Sequence, residues 1–252
     1  MLEFVTRLLR RLAPAPRLPT EAEWQAAEAK LPMLQRLNQP ERQRLRELGG
    51  EFLRQKQWSA ARGLHLDAAM QMHITLQACL PILNLGLAWY DDWVGIVVYP
   101  GEFLAPRQMM DEAGLVHEYD DVLLGESWDH GPVLLSWFPP GEEPAGVNVV
   151  LHELAHKLDM RHGEADGIPP LHAGMSRPAW IRALQAAFVD FQHKADRGEA
   201  PFDPYGAEHP AEFFAVSSEV FFLQPECLQR AYPAYYAQLV GFYRQDPLQC
   251  NN

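Results

Sequence analysis

The sequence predicts an α+β fold, with a helical N-terminal part, a small sheet and a helix-rich C-terminal half. Three observations carry that prediction. Apolar residues fall at helical spacing through much of 21–83, the period shortens to two from residue 93, and helical spacing returns after residue 147. Residues 1–20 read as a mobile basic arm, 21–90 as the helical part and 91–252 as the core, the last two packing as one compact unit.

The arm carries Arg7, Arg10, Arg11 and Arg17 among leucines. Glu3 and Arg7 interrupt its apolar run, and the basic residues follow the apolar ones, which is the wrong order for a signal peptide. A short amphipathic membrane-surface helix is the alternative to a mobile end. After the proline-rich tether Pro14 to Pro19, Thr20 and Glu23 form a capping-box pattern that opens a helix. Helices follow over 40–58 and 65–80, the second with Leu66, Met70, Ile74 and Ala78 on one face. His65 and His73 read as packing or surface residues. The most apolar stretch, Ala78 to Tyr90, is 13 residues long and holds Pro81, Asn84 and Gly86. It suits a buried segment and is too short for a membrane span, so no stable membrane association is expected.

Strands are expected at Val94 to Tyr99, Val122 to Leu124 and Val133 to Trp137. Pro139-Pro140-Gly141 marks a loop, and a helix of unusual composition runs over 147–162 until Gly163 and the Asp166–Pro170 stretch end it. Helices resume over 177–197, 210–223 and 225–245.

Composition is that of an ordinary globular chain, with 48% apolar and 21% charged residues in 252. A net charge of −12 argues against direct nucleic-acid binding, which needs a cationic face. The three cysteines, Cys79, Cys227 and Cys250, are odd in number and far apart, so neither a disulfide framework nor a cysteine metal site is indicated. A reducing, cytoplasmic compartment fits.

Residues 152–156 read His-Glu-Leu-Ala-His, with no proline or glycine from Val147 to His162. Two histidines four residues apart stack on one helix face, so both imidazoles reach a single metal ion. Glu153 is turned from His152 by about 100° and misses the ion while still reaching water beside it. A zinc ion with few protein ligands keeps an open position and lowers the pKa of its water to about 7, so the neighbouring carboxylate can act as general base in hydrolysis.

A third ligand is needed. His162 has the metzincin spacing, but Asp159 stands where that motif has glycine, and a continuing helix turns His162 away. Better candidates lie on the apolar segment opened by Pro210, where Glu212 and Glu219 sit seven residues apart on nearly the same face. Glu212 at the helix start is the leading candidate and Glu219 the second, with Glu164 and Glu208 behind them. An acidic residue in a first helical turn is also favoured by the helix dipole alone. Asp159, one turn beyond His156, either receives a ring N–H from a ligand histidine or pairs with Lys157 or Arg161 at the surface. His172, His193 and His209 read as loop or surface residues without a direct role.

The strings from His152 to Met160, Tyr205 to Glu219 and Tyr99 to Phe103 resemble the Mlc titration factor A family of bacterial zinc peptidases, of the gluzincin type. The likeness runs from about residue 80 to 247, and more loosely through the helical N-terminal part. The catalytic domain of anthrax lethal factor is similar, sharing the His-Glu-x-x-His-x-x-Asp frame with a distal Tyr and Glu. The resemblance implies a zincin-like core with one zinc ion held by His152, His156 and Glu212, Glu153 as catalytic base, and Tyr205 assisting. A phenol there would donate to the oxyanion of the tetrahedral intermediate. Asp159 and Glu219 are the candidates for orienting the ligands.

The expected function is a zinc-dependent, aminopeptidase-like peptidase acting on a peptide substrate, with Val133 to Trp137 as a strand along which an extended substrate could bind. The resemblance also implies a partner, the Mlc repressor of sugar-uptake genes. The rival expectation is a non-catalytic module that sequesters a regulator, with structural zinc.

Overall fold

A computed structural model describes residues 17–110, 116–142, 144 and 146–249. The arginine-bearing arm up to residue 16 and Cys250 lie outside the described residues. α1, Glu21–Glu28, opens on the expected capping box: the Thr20 hydroxyl accepts from the Glu23 N–H, and the Glu23 carboxylate accepts from the Thr20 N–H at 2.7 Å. α2, Gln39–Gln55, opens on a second one between Asn38 and Glu41. α3, Ala68–Cys79, is capped by Asp67.

The helix expected over 40–58 stops at Gln55, and Gln57–Ala60 forms a strand, β1. Lys56 makes the turn between them. Its buried ammonium donates to the Tyr90 carbonyl at 2.5 Å and the Trp93 carbonyl at 2.7 Å, over the Trp93 ring. That pins the chain beside β2, Gly95–Pro100, and β1 pairs parallel to it with Gln57 opposite Gly95.

β2 pairs parallel in turn with β6, Val133–Trp137. The antiparallel ribbon of β3, Phe103–Met110, and β4, Val116–Leu123, lies between them in the chain. The strand expected at Val122 to Leu124 is thus the end of β4, and a short β5, Gly125–Ser127, follows and pairs antiparallel to β6. The resulting sheet has the order β1-β2-β6-β5. β6 therefore has a neighbour on each side and cannot serve as the substrate-binding edge. The edges of the sheet are β1 and β5.

α4, Val149–Asp159, packs across this sheet and continues into a tight turn, Met160–His162. α5, Arg177–Asp196, and α6, Pro210–Leu223, follow within a residue of expectation. The long helix expected over 225–245 is two, α7, Pro225–Ala231, and α8, Pro233–Tyr243. Pro233 lacks the N–H that would continue α7 and drives Tyr232 to an extended φ of −140°.

The core is rich in aromatics. Phe213, Phe214 and Phe221 of α6 pack fully buried with Trp180 and Phe191 of α5 and Tyr235 and Phe242 of α8. Burying each such ring is worth about 1.5–3 kcal/mol, so α6 is held at many points along its length. The expected buried segment is buried: Ala78, Cys79, Leu80, Ile82, Leu83, Leu87 and Tyr90 all lie in the core. Among the described residues no helix is long and apolar enough to cross a membrane.

Candidate metal centre

α4 forms because Asn148 caps it, its side chain accepting from the Leu151 N–H at 2.9 Å, and because its apolar residues fall on one stripe. Val150, Leu151, Leu154, Ala155 and Leu158 are buried against the core. The other face presents His152 and His156. α6 crosses α4 with Pro210 in its first turn, which brings Glu212 over the two rings. His209 caps α6 with a ring nitrogen, Nδ1 accepting from the Ala211 N–H at 3.2 Å.

Three donor atoms meet. Nε2 of His152 lies 3.1 Å from Nε2 of His156, and Oε2 of Glu212 lies 3.1 Å from the first and 3.2 Å from the second. Donors held tetrahedrally at zinc distances of 2.0–2.1 Å are separated by about 3.3 Å. The triangle matches to about 0.2 Å. Two imidazole nitrogens turned toward each other at this range also need a proton or a metal ion between them, since lone pairs facing each other repel. His152, His156 and Glu212 together fit a metal ion.

Electrostatics agree. Burial disfavours the charged form of His152, yet hydrogen bonds to Glu212 and Glu219 carry its pKa up to about 10. Burial raises Glu212 as well, but the two histidines outweigh it and hold its carboxyl well below the usual carboxylate range. The site stabilises a cation at this point, whether a proton or a metal.

Glu219 does not face the triangle. Its Oε1 lies 2.8 Å from Nδ1 of His152, and its Oε2 accepts from the backbone N–H of Asn148. Asn148 in turn donates from Nδ2 to Oε1 of Gln77 on α3 at 2.6 Å. Asn148 is absent from the sequence expectations, although an Asn directly before Val149, the first residue of α4, is a capping signal.

Glu153 is buried, and burial raises its pKa against the pull of the two histidines and of the Ser127 hydroxyl. Ser127 donates to the Glu153 carbonyl at 2.9 Å. Tyr205 sits on a tight turn, Pro204–Ala207, with 45% of its surface exposed and its ring centre 6.0 Å from that of His152.

Asp159 follows neither of its two expected readings. Its Oδ2 accepts from the Gly167 N–H at 2.7 Å, deep in the core. Lys157 donates instead to the carbonyls of Trp128 and Gly131, and Arg161 pairs with Asp92. The physical reason is the turn after α4, which carries the chain back over its own C-terminus and lays Gly167 against Asp159. His162 is exposed on that turn and is not among the residues brought to the triangle. Neither is His172, whose Nε2 lies 2.7 Å from the Phe242 carbonyl.

A family model described as glucose-regulated metallo-peptidase M90 matches residues 6–244. Over 233 residues the chain is 40% identical to Mlc titration factor A of Yersinia pestis (strain Pestoides F), a match covering 90% of this chain and 86% of that protein. The same figures describe its similarity to Mlc titration factor A of Yersinia pseudotuberculosis (serotype O:1b, strain IP 31758).

Proposed function

Because the chain belongs to the glucose-regulated metallo-peptidase M90 family, we propose that it is a zinc-dependent peptidase with a zincin-like core and one ion held by His152, His156 and Glu212. The observation that carries this is the near-equilateral triangle of donor atoms on α4 and α6. When bound, zinc supplies Lewis-acid chemistry, polarising a carbonyl and making a water molecule more acidic. Glu153 takes the proton of the attacking water and passes it to the leaving amine. Burial suits it to this, because a carboxylate with a raised pKa returns a proton more readily than it would in water. Tyr205 turns its hydroxyl to the oxyanion of the tetrahedral intermediate. Glu219 fixes the tautomer of His152, so that Nε2 carries the lone pair.

The substrate is an extended peptide laid along β5. Backbone bonds from Ser136 N–H to Leu124 O and from Trp128 N–H to Pro132 O, at the two ends of this strand, set which of its residues bond toward β6. By the alternation of antiparallel pairs, the main-chain groups of Gly125 and Ser127 point to the other side, the outer edge. A cavity of about 380 Å³ at the N-terminal end of α4, walled by Leu124, Trp137, Phe138 and Val149, offers room for an apolar substrate side chain.

The activity is aminopeptidase-like and the protein cytoplasmic. The name of its relatives, Mlc titration factor A, supports a repressor of the Mlc type as a second partner. The same name supports the rival reading, a module that sequesters a regulator and keeps zinc for structure alone.

Hydrolysis of chromogenic peptides with free and with blocked N-termini, by zinc-loaded wild type and Glu153→Gln, separates the two. Cleavage by wild type alone, restricted to free N-termini, is the expected result. An active Glu153→Gln protein would remove the general base, and no cleavage by stoichiometrically loaded wild type would favour the module.

A further inference from the structure

β5 and α4 meet at one point with no space between them. A Cβ placed on Gly125 would lie 2.6 Å from Cγ and 2.8 Å from Cδ of Glu153, and would also strike its Oε1. Carbon atoms not bonded to each other rest about 3.5–4.0 Å apart, so any side chain here demands a shift of about 1 Å. Backbone strain plays no part, because Gly125 is in a strand and is not among the residues with positive φ. What glycine supplies is space.

Neither side can easily give way. Lys157, only 1% exposed, donates to the Gly131 carbonyl at 3.0 Å and to the Trp128 carbonyl, tying the β5–β6 hairpin to α4. The Ser127 hydroxyl adds a bond to the carbonyl of Glu153 itself. A turn of α4 would carry His152 and His156 with it. Oε2 of Glu153 is buried and has no hydrogen-bond partner among the described residues, so packing holds that end of the carboxylate.

We propose that Gly125 is the positioning residue for Glu153: its missing side chain is the slot in which the carboxylate is seated, and the Lys157-tethered hairpin keeps that slot closed. The proposal rests on Glu153 being the general base. With alanine in the slot the carboxylate has to swing out by about 1 Å, a misplacement that costs on the order of 100-fold in turnover.

The test compares Gly125→Ala and Glu153→Gln with wild type, each loaded with zinc. Gly125→Ala should lose about 100-fold in kcat with KM, bound zinc and melting temperature close to wild type. A crystal structure of Gly125→Ala should show the carboxylate displaced while His152, His156 and Glu212 stay in place. Gly125→Ala with kcat within twofold of wild type beside an inactive Glu153→Gln would overturn the proposal and leave the general base standing. Loss of zinc or of folding in Gly125→Ala, or a crystal structure with the carboxylate unmoved, would assign the glycine to the fold and overturn it too. An active Glu153→Gln would instead strike down the base reading on which the slot depends.

Discussion

Oε1 of Glu219 lies 2.8 Å from Nδ1 of His152, while the other nitrogen of the same ring lies 3.1 Å from Glu212. One imidazole is held at both ends by two carboxylates of the same helix, one turned into the metal triangle and one away from it. Seven residues put them on nearly the same face of α6, and the two nitrogens of one ring tell them apart.

Glu219→Ala should weaken zinc binding by roughly 10- to 100-fold, the usual effect of removing a carboxylate that orients a ligand histidine. Competition with a chromophoric chelator measures this. Unchanged affinity would make Glu219 only the acceptor for the Asn148 N–H.

Glu212→Ala should cost more than Glu219→Ala in the same assay, because it removes a donor atom and not the support of one. If zinc binds Glu212→Ala as tightly as wild type, the third ligand lies elsewhere, with Glu219 and His162 the first to test.

Tyr205→Phe keeps the ring beside His152 and removes only the hydroxyl. A drop of roughly 100-fold in kcat, with KM and zinc affinity unmoved, is expected from steady-state kinetics and chelator titration. Full activity would return Tyr205 to the status of a surface aromatic.

Asp159 makes folding pH-dependent. Burial raises its carboxyl to about 7 from an ordinary 3.8, against the pull of the Gly167 N–H. The folded protein then binds a proton that the unfolded chain has released, so stability falls as pH rises from about 4 to about 7. Asp159→Asn keeps an oxygen for the Gly167 N–H and abolishes the titration. Denaturant unfolding of the metal-free proteins should show the variant gaining on wild type by on the order of 3 kcal/mol between pH 4 and pH 8. An equal difference at both pH values would place the Asp159 pKa near its ordinary value.

Much of this molecule was legible in the sequence for reasons that are local. α6 opens on Pro210, and α4, α5 and α6 each have enough apolar residues to declare their period. β1 was not legible, because Gln57-Trp58-Ser59-Ala60 is only four residues long, too short for its alternation to stand out, and becomes a strand only when Lys56 fastens the chain beside β2. The break at Pro233 was there to be read and was passed over. At the site, the spacing of His152 and His156 follows from a single helix and needed no structure. Their closure with Glu212 did need one, since it depends on how two helices cross. Asp159 was misread for a related reason: its partner, the Gly167 N–H, is a main-chain group and carries no side-chain signature.

His156 and Glu212 stand 56 residues apart in the chain. A ribosome delivers α4 first, with two donor atoms and the proposed general base already in order, and must then make α5 before the third donor exists. A nascent or prematurely ended chain that stops ahead of residue 212 keeps the motif but grips zinc with two imidazoles alone, which is poor retention. On the proposed site, assembly order thus acts as a safety catch: a fragment that carries the signature but ends before α6 lacks the donor that closes the triangle.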